Sequence, residues 1–480
     1  STPIKSSAAS DVYKRQWYDG TAMTDARYAA LAHILLSDTF SSNGNYALYG
    51  CNEQFKSWCR QNVIGFNSSG EMCNENATGR LICARMGEIP SNFEAFMLYT
   101  GAGNQLILSF KYTPYGKIDL LKVTANEEMC ANNPLYSVEG AVYTVYRNSG
   151  LTGVAGSITT NADGWGILED LEPGDYWVKE TKQAPGHALD PTVYPTKVNS
   201  DETTRVNGQS VSDIPQSDPV GMLVGKVDAD TGDSAPQGDA TLEGALFTVR
   251  YYAGDYADAS AAEASGAPMR TWVFETDADG FAYLADEYKH SGDPLYYQTN
   301  SDASIPLGTV LIQETRAPQG YNLDDGHGGD PKVFCVRITP DGAEGESVYT
   351  YNSPKAPDTV ERGDFRLVKE VPVEIYDSPN GDMPQEVKRV LVPGVKFELY
   401  NDSENAVLSP ETGKLAGPGN HVCTITVDEN GLATTKDDNA EVNGWSKPSD
   451  WTGALAYGTY RIHEVIPQDV EDAFKATWGK

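Results

Sequence analysis

One order of short motifs recurs three times, and this repetition constrains the fold more than any other feature of the chain. Each copy opens with a lysine inside an apolar run: Lys122, Lys226 or Lys369. A glycine then introduces alternating apolar residues, as in GAVYTVY, GALFTVR and GVKFELY, and a turn follows as NADG, DADG or DENG. Each copy closes on a strand-like run that ends in a glutamate: Glu180, Glu314 or Glu464. The sequence therefore predicts three copies of one structural unit.

The alternation of apolar and polar residues predicts the fold of each copy. A period of two is typical of a β-strand with one buried face. Turn residues separate the runs, and the chain holds 46 glycines and 27 prolines among its 480 residues. Short strands between such turns predict an all-β sandwich of about seven strands per copy. We therefore predict a mainly β fold, with tandem β-sandwich domains after an N-terminal α+β domain.

Changes in pattern give the expected domain boundaries. Residues 1–16 show no periodicity and are interpreted as a non-structural leader. Residues 17–115 contain helical patterns that begin near Thr24 and Asn52, and they predict a partial α+β head domain. The repeats occupy the remaining three segments: 116–218, 219–358 and 359–480.

The charge balance excludes some classes of partner. The chain has 36 basic and 68 acidic residues, which gives a net charge of -32. Nucleic acids are disfavoured as partners, because phosphate binding needs clustered lysine and arginine, and anionic membrane surfaces are disfavoured for the same reason. No uncharged apolar run approaches the roughly 20 residues that cross a bilayer, so we expect no membrane span in this chain.

The cysteines and histidines give no sign of a metal or a cofactor. Four of the seven cysteines lie between Cys51 and Cys83, but none forms a C-x-x-C pattern and no histidine has zinc-finger spacing. One or two disulfides in an oxidising compartment and buried free thiols are the two alternatives for these four cysteines. The six histidines accompany no recognisable nucleophile elbow, so we expect no enzyme with turnover.

The recurring lysine and glutamate indicate a different kind of chemistry. The opening and closing strands of a sandwich are neighbours, so their inward side chains can touch. Burial disfavours the charged forms of both groups, which leaves a nucleophilic amine and a protonated carboxyl. Such an amine can attack a side-chain amide or acid while the glutamate relays protons, and the product is an isopeptide bond. Each molecule would carry out this reaction only once per centre. A solvated lysine and a solvated glutamate on the surface are the alternative interpretation.

These motifs resemble a known family. The lysine-bearing first strand, the GALFTV strand, the D-x-D-G turn and the box ETRAPQGY are similar to the B-type repeats of Gram-positive collagen adhesins and of SpaA-type pilins. The resemblance covers residues 117–480. It implies transthyretin-like or immunoglobulin-like sandwiches in which a lysine and an asparagine of the terminal strand join spontaneously, assisted by the boxed glutamate. It also implies a cell-wall-attached surface protein.

The resemblance implies a complete set of reactants in the second repeat. Tyr351-Asn352-Ser353-Pro354 matches the closing Asn-x-Pro pattern, so Asn352 is expected to join Lys226 with Glu314 as the catalytic group. Lys369 and Glu464 match in the third repeat. The spacing from glutamate to acceptor puts the third acceptor near position 500, so we expect this domain to be truncated before its closing strand and to lack its bond.

The first repeat departs from the family pattern. Lys122 and Glu180 match, but Asp213 stands where asparagine is expected. Attack on an acid would release water instead of ammonia, and a crosslink to Asp213 remains open. Asn207 is the alternative acceptor.

These features together predict an extracellular structural and adhesive protein. Its sandwiches would form a stalk, stiffened by internal crosslinks, that presents a distal domain to a protein or glycan on a host or neighbouring cell. Attachment to the cell wall would use a C-terminal anchor outside this sequence. As an alternative, residues 17–115 form a surface enzyme or a covalent thioester binder and the repeats act as a spacer. Gln54 is weakly similar to the glutamine helix of thioester domains, although no cysteine precedes Cys51.

Overall fold

The chain forms two compact units, Ser1–Gly116 with Asn199–Glu202, and Lys117–Val198 with Thr203–Lys480. In this computed structural model, the described residues are 17–21, 24–40, 48–77, 80, 93–98, 107–340, 345–350, 352–375, 386–436 and 439–479. The predicted leader, 1–16, lies outside them. Strands predominate, which confirms the prediction of a mainly β fold. Among the described residues, no helix is both long enough and apolar enough to cross a membrane.

The first unit combines short helices with a hairpin. Its helices are α1 (Asp25–Phe40) and α2 (Glu53–Cys59), and α2 continues as a π-helical turn (Arg60–Ile64). Its hairpin joins β1 (Phe93–Leu98) to β2 (Ile107–Tyr112). The side chain of Asn52 caps α2 by accepting the backbone N–H of Phe55 at 2.7 Å, because the first amides of a helix lack intrahelical partners. A small apolar cluster, with Cys59 and Ile64 fully buried, packs the two helices together.

The first sandwich has two facing sheets. Its elements are β3 (Gly116–Thr124), α3 (Glu127–Cys130), β4 (Val142–Tyr146), β5 (Val154–Thr159), β6 (Trp165–Leu171), β7 (Gly174–Lys182), β8 (Val193–Val198), β9 (Thr203–Arg205) and β10 (Val211–Asp213). One sheet has the order β10-β3-β6, with β9 also paired to β3, and the other has the order β5-β4-β7-β8. The closing strand β10 runs parallel to the opening strand β3. The apolar residues of both inner faces form one core.

The second sandwich repeats this plan with longer loops. Its elements are β11 (Ser217–Asp218), β12 (Met222–Asp228), β13 (Leu246–Tyr252), α4 (Ala259–Ala264), β14 (Arg270–Glu275), β15 (Phe281–Tyr283), β16 (Lys289–Gly292), β17 (Tyr296–Tyr297), β18 (Ala303–Pro306), β19 (Gly308–Arg316), β20 (Val333–Ile338) and β21 (Lys355–Asp358). The opening strand β12 lies between β15 and the parallel closing strand β21. The facing sheet has the order β16-β14-β13-β19-β20. Strand β11, which the predicted boundary assigned to the first repeat, pairs with β18 of this sandwich.

The third sandwich contains the opening strand but ends differently. Its elements are β22 (Arg362–Gly363), β23 (Arg366–Val368), β24 (Glu370–Ile375), β25 (Glu386–Leu391), β26 (Lys396–Asn401), β27 (Val407–Leu408), β28 (Leu415–Ala416), β29 (His421–Thr426), β30 (Leu432–Thr434), α5 (Ala440–Asn443), β31 (Leu455–Ala456), β32 (Tyr460–Val465) and α6 (Gln468–Trp478). The opening strand β23 pairs with β30, and no parallel closing strand accompanies it in the described part of the chain. Helix α6 follows β32, at the point where the first two sandwiches continue into β8 and β20.

Candidate crosslinking centres

The register of two parallel strands brings a lysine and an acid together in the first sandwich. Lys122 of β3 pairs with Val211 of β10, and Thr124 pairs with Asp213. Alternate residues of a strand face the same side, so Lys122 and Asp213 both project into the core. Their charged groups are in direct contact, and both side chains are completely buried.

The third member of this centre comes from the opposite sheet. Glu180 of β7 places Oε1 at 2.9 Å from Nζ of Lys122, and its side chain is also completely buried. Its other oxygen, Oε2, accepts the backbone N–H of Asp190 at 2.7 Å. Strand pairing within one sheet and packing between the two sheets together assemble the three groups.

Burial shifts the protonation of the two carboxyls in this centre. Desolvation raises the pKa of Glu180 to about 7, although the charge of Lys122 opposes the shift. Desolvation likewise raises the pKa of Asp213 above its ordinary value, again against the effect of Lys122. The protonated form of Glu180 is therefore accessible near neutral pH. The pKa shift of Asp213 favours its protonated form, which is the form that an amine can convert to an amide.

The second sandwich builds the same centre from different residues. Lys226 of β12 pairs with Ala356 of β21, and the acid again lies two residues further along, at Asp358. Nζ of Lys226 is 2.5 Å from Oδ1 of Asp358 and 2.6 Å from Oε2 of Glu314. All three side chains are buried.

The carboxyls of the second centre are shifted in the same direction. Desolvation is the main cause that raises the pKa of Glu314 to about 8, and the neighbouring charge of Asp358 adds to it. Desolvation also raises the pKa of Asp358, while Lys226 opposes this shift.

The structure places Asn352 and Asp358 differently with respect to Lys226. Asn352 is exposed and precedes β21, whereas Asp358 occupies the place beside Lys226. The family pattern of Asn-x-Pro pointed to a segment before the closing strand. The first repeat carried a better signal, because its VSD and the second repeat's APD share an apolar residue two positions before the acid.

A turn glycine holds the lysine strand in all three sandwiches. The lysine backbone N–H donates to the carbonyl oxygen of the glycine that ends the repeated turn, at 2.7 Å for Gly164, 2.7 Å for Gly280 and 2.8 Å for Gly431. At Gly164 the φ is +76°, and a Cβ would lie 2.2 Å from the carbonyl oxygen of Lys122. Only glycine fits this close approach in a left-handed conformation. The repeated turn motif thus has a definite role in positioning the lysine, although its sequence alone indicated only a turn.

The third sandwich brings together only two of the three groups. Nζ of Lys369 lies 2.5 Å from Oε1 of Glu464, and their side chains are 21% and 35% exposed. In the first two sandwiches, the residue two positions beyond the lysine pairs with the acid of the parallel closing strand. In the third sandwich that residue is Val371 of β24, and it pairs with the antiparallel strand β25 instead. In the described part of this sandwich, the pair has no acid beside it from a parallel strand.

The remaining predicted residues lie away from these centres. Asn207, the alternative acceptor, is exposed in a turn with a φ of 57°, and its side-chain amide donates to the carbonyl of Ser210 at 3.0 Å. Gln54 lies exposed on α2. The six cysteines within the described residues are all unpaired, and Cys83 lies outside those residues.

Comparison with known proteins identifies part of the chain. Residues 131–211 match the family described as SpaA prealbumin-like fold domains. The first sandwich, which contains these residues, is similar to SpaA-type prealbumin-like domains. This match confirms the predicted resemblance to SpaA-type repeats and the prediction of a prealbumin-like sandwich. No curated protein matches the chain significantly.

Several solved structures are similar to the chain at low identity. The TIE protein of Bacillus anthracis is 19% identical, with 78% of this chain and 52% of that chain covered and a TM-score of 0.40. BcpA, the major pilin subunit of Bacillus cereus, is 14% identical over 74% of this chain and 90% of that chain, with a TM-score of 0.26. The C-terminal fragment of the pilus adhesin SpaC from Lactobacillus rhamnosus GG is 14% identical over 52% of this chain and 98% of that chain, with a TM-score of 0.28. The chain thus spans about half the length of the TIE protein.

Proposed function

We propose that this chain belongs to a structural and adhesive protein of a Gram-positive cell surface, attached to the cell wall, whose sandwiches form a stalk. Two internal isopeptide bonds, Lys122–Asp213 and Lys226–Asp358, would stiffen that stalk. Residues 17–115 would lie in the domain presented to a protein or glycan of a host or neighbouring cell. The SpaA-type domain in the first sandwich supports the surface role, and the pilin and adhesin roles of the similar structures would carry over to this chain.

One observation carries the crosslinking part of this proposal. Two sandwiches with different sequences each bury one lysine, one glutamate and one aspartate in mutual contact. Burying such charges costs several kcal/mol per ion unless they are well paired, so a purely structural role is expensive. The same register, with the acid two residues beyond the partner of the lysine, is present in both. A repeated and costly arrangement of reactive groups supports a chemical role.

The reaction is a condensation between an amine and a carboxylic acid. The proton is first redistributed within the buried centre, so that the lysine amine and the aspartic acid are both neutral. The amine nitrogen attacks the carboxyl carbon while the protonated glutamate donates a hydrogen bond to the carboxyl oxygen. The carbon–hydroxyl bond then breaks, the nitrogen loses one proton, and that proton leaves with the hydroxyl as water. The glutamate ends the cycle protonated as it began, and contact between the reactants replaces a bimolecular encounter.

The position of the bonds would give the stalk its mechanical property. Each bond joins the opening strand of a sandwich to its closing strand, so tension would pass through the bond and bypass the residues between them. The bypassed segments span 213 − 122 = 91 and 358 − 226 = 132 residue steps. An extended chain covers about 3.4 Å per residue. The Lys122–Asp213 bond would therefore prevent about 31 nm of chain from extending under tension, and the Lys226–Asp358 bond about 45 nm.

Single-molecule stretching of the full chain tests this function. The wild-type protein is expected to unfold without releasing either hidden length. Asp358→Ala should add about 45 nm to the extension, and Asp213→Ala should add about 31 nm. Equal extension of the wild-type protein and both variants would contradict the proposal.

A further inference from the structure

A tyrosine hydroxyl touches the reacting nitrogen in the first centre. The side chain of Lys122 donates a hydrogen bond from Nζ to the hydroxyl oxygen of Tyr143 at 3.1 Å. Both side chains are fully buried, and the amine lies 5.4 Å from the centre of the ring. We propose that Tyr143 is a further catalytic residue of the first centre, which accepts a hydrogen bond from the attacking amine and stabilises the charge that the nitrogen acquires.

Strand pairing places this hydroxyl beside the catalytic glutamate. Tyr143 of β4 is the direct cross-strand partner of Glu180 in β7, so the two side chains face the lysine from the same sheet. The corresponding pairs are Phe247 with Glu314 and Phe397 with Glu464. The aromatic ring is therefore common to all three sandwiches, and the hydroxyl occurs in the first alone.

The chemistry of a buried phenol decides what this hydroxyl can do. Desolvation, together with the nearby charges of Asp213 and Glu180, raises the pKa of Tyr143 far above its ordinary value. The group therefore stays a neutral phenol and offers its oxygen lone pairs to the amine. The nitrogen becomes positively charged as it attacks the carboxyl carbon, and a hydrogen bond from a charged donor is roughly twice as strong as one from a neutral donor. A contact that strengthens in the transition state accelerates the reaction.

The chain offers a matched control for this role. Tyr176 of β7 is also buried in the first sandwich, and its hydroxyl donates to the carbonyl of Glu172 at 2.8 Å. Tyr143→Phe and Tyr176→Phe each remove one hydroxyl from the same sandwich. Only the first substitution removes a contact with the lysine amine, and it gives the first centre the aromatic residue that the second centre has at Phe247.

The test measures the rate of each bond separately. The full chain is isolated as inclusion bodies, so that it has not folded and formed its bonds, and is dissolved in denaturant and refolded by dilution. Samples are quenched at intervals and digested, and the two crosslinked peptides are quantified by mass spectrometry. Tyr143→Phe is expected to slow the Lys122–Asp213 bond by about tenfold, which corresponds to about 1.4 kcal/mol in the barrier. Tyr176→Phe should leave that rate unchanged, and the Lys226–Asp358 bond should form at the wild-type rate in both variants.

The possible outcomes separate this inference from the crosslinking function on which it rests. If Tyr143→Phe does not change the rate at which the Lys122–Asp213 bond forms, the role of the tyrosine is overturned, and the proposal of the crosslinks is not affected. Equal slowing in Tyr176→Phe would also overturn it, because the loss of any buried hydroxyl would then suffice. Absence of both bonds in the wild-type chain would instead remove the proposed function itself.

Discussion

The first two sandwiches and the third use the same lysine–glutamate pair in different surroundings. In the first two, a parallel closing strand lies beside the lysine, supplies the acid and covers the centre, so the lysine side chains are completely buried. In the third, Lys369 and Glu464 form an ion pair that is partly open to water. The comparison indicates that the closing strand provides both the third buried group and the desolvation. A lysine and a glutamate at the right positions are not sufficient.

The largest expected effect comes from removing the proton relay in one centre. Glu314→Gln keeps the shape of the side chain but removes its acidic proton, so the Lys226–Asp358 bond should form about 10²- to 10⁴-fold more slowly. On refolding, the intact mass of this variant should fall by about 18 Da, because only the Lys122–Asp213 bond forms and releases one water. The wild-type protein should lose about 36 Da, for two waters.

The third sandwich supplies the control for this substitution. Glu464→Gln changes the equivalent residue where the described structure has no acceptor beside the lysine, so the mass loss should equal that of the wild-type protein. Formation of both bonds at the wild-type rate in Glu314→Gln would show that the glutamate does not take part.

A smaller effect is expected on stability when a bond is lost. Asp358→Ala removes a link that closes a loop of 132 residue steps, and by analogy with disulfides such a link contributes about 4–5 kcal/mol to the free energy of unfolding. Calorimetry of the second sandwich's transition should show a corresponding fall in its midpoint. Asn352→Ala, at the exposed residue first expected to be the acceptor, should change the midpoint little. A larger fall for Asn352→Ala would restore that residue as the partner of Lys226.

The two complete centres should also differ in their dependence on pH. Each reaction needs its glutamate protonated, and the pKa is about 7 for Glu180 and about 8 for Glu314. As pH rises, Glu180 loses its proton first, so the first bond should slow before the second. Deprotonation of the lysines favours both reactions, and therefore the ratio of the two rates is the quantity to measure.

Refolding between about pH 6 and pH 9 measures this ratio. The ratio of the rate of the second bond to the rate of the first should rise by up to about tenfold over this range, because the pKa values of the two glutamates differ by about one unit. A ratio independent of pH, or one that changes in the opposite direction, would contradict the role assigned to the two glutamates.

The smallest effect is expected in the third sandwich. Lys369→Met removes an ion pair whose partners are partly exposed, and such pairs contribute about 0–1 kcal/mol. Chemical denaturation should therefore show a change below about 1 kcal/mol, and the number of crosslinks should stay the same. A loss of several kcal/mol would indicate that this pair is a buried, functional centre like the other two.

The repeated motifs made much of this architecture predictable. Period-two alternation and turn signals indicated the sandwiches, and the fixed positions of Lys122 and Glu180 marked two groups that the structure brings together. The acid beside Lys226 in the second sandwich was harder to predict because loop lengths are free to vary. The glutamate and the acid are 213 − 180 = 33 residues apart in the first sandwich and 358 − 314 = 44 in the second.

Strand register, which the sequence does not show directly, places Asp358 and not Asn352 beside Lys226. A shift of one residue turns every side chain to the opposite face of a sheet, so the partner of the lysine depends on pairing and not on distance along the chain. Helix α6 had no signal in the repeat pattern either, because the equivalent segments of the other two copies, 184–190 and 317–324, form loops and turns.

Peptide mapping of the folded wild-type chain by mass spectrometry tests the central claim most directly. The expected result is an intact mass lower by about 36 Da, the mass of two waters, with two branched peptides that join Lys122 to Asp213 and Lys226 to Asp358. Lys369 should be recovered in an ordinary linear peptide. An intact mass equal to that of the chain without crosslinks would contradict the central claim. A branched peptide that joins Lys226 to Asn352 with the loss of ammonia would also contradict it.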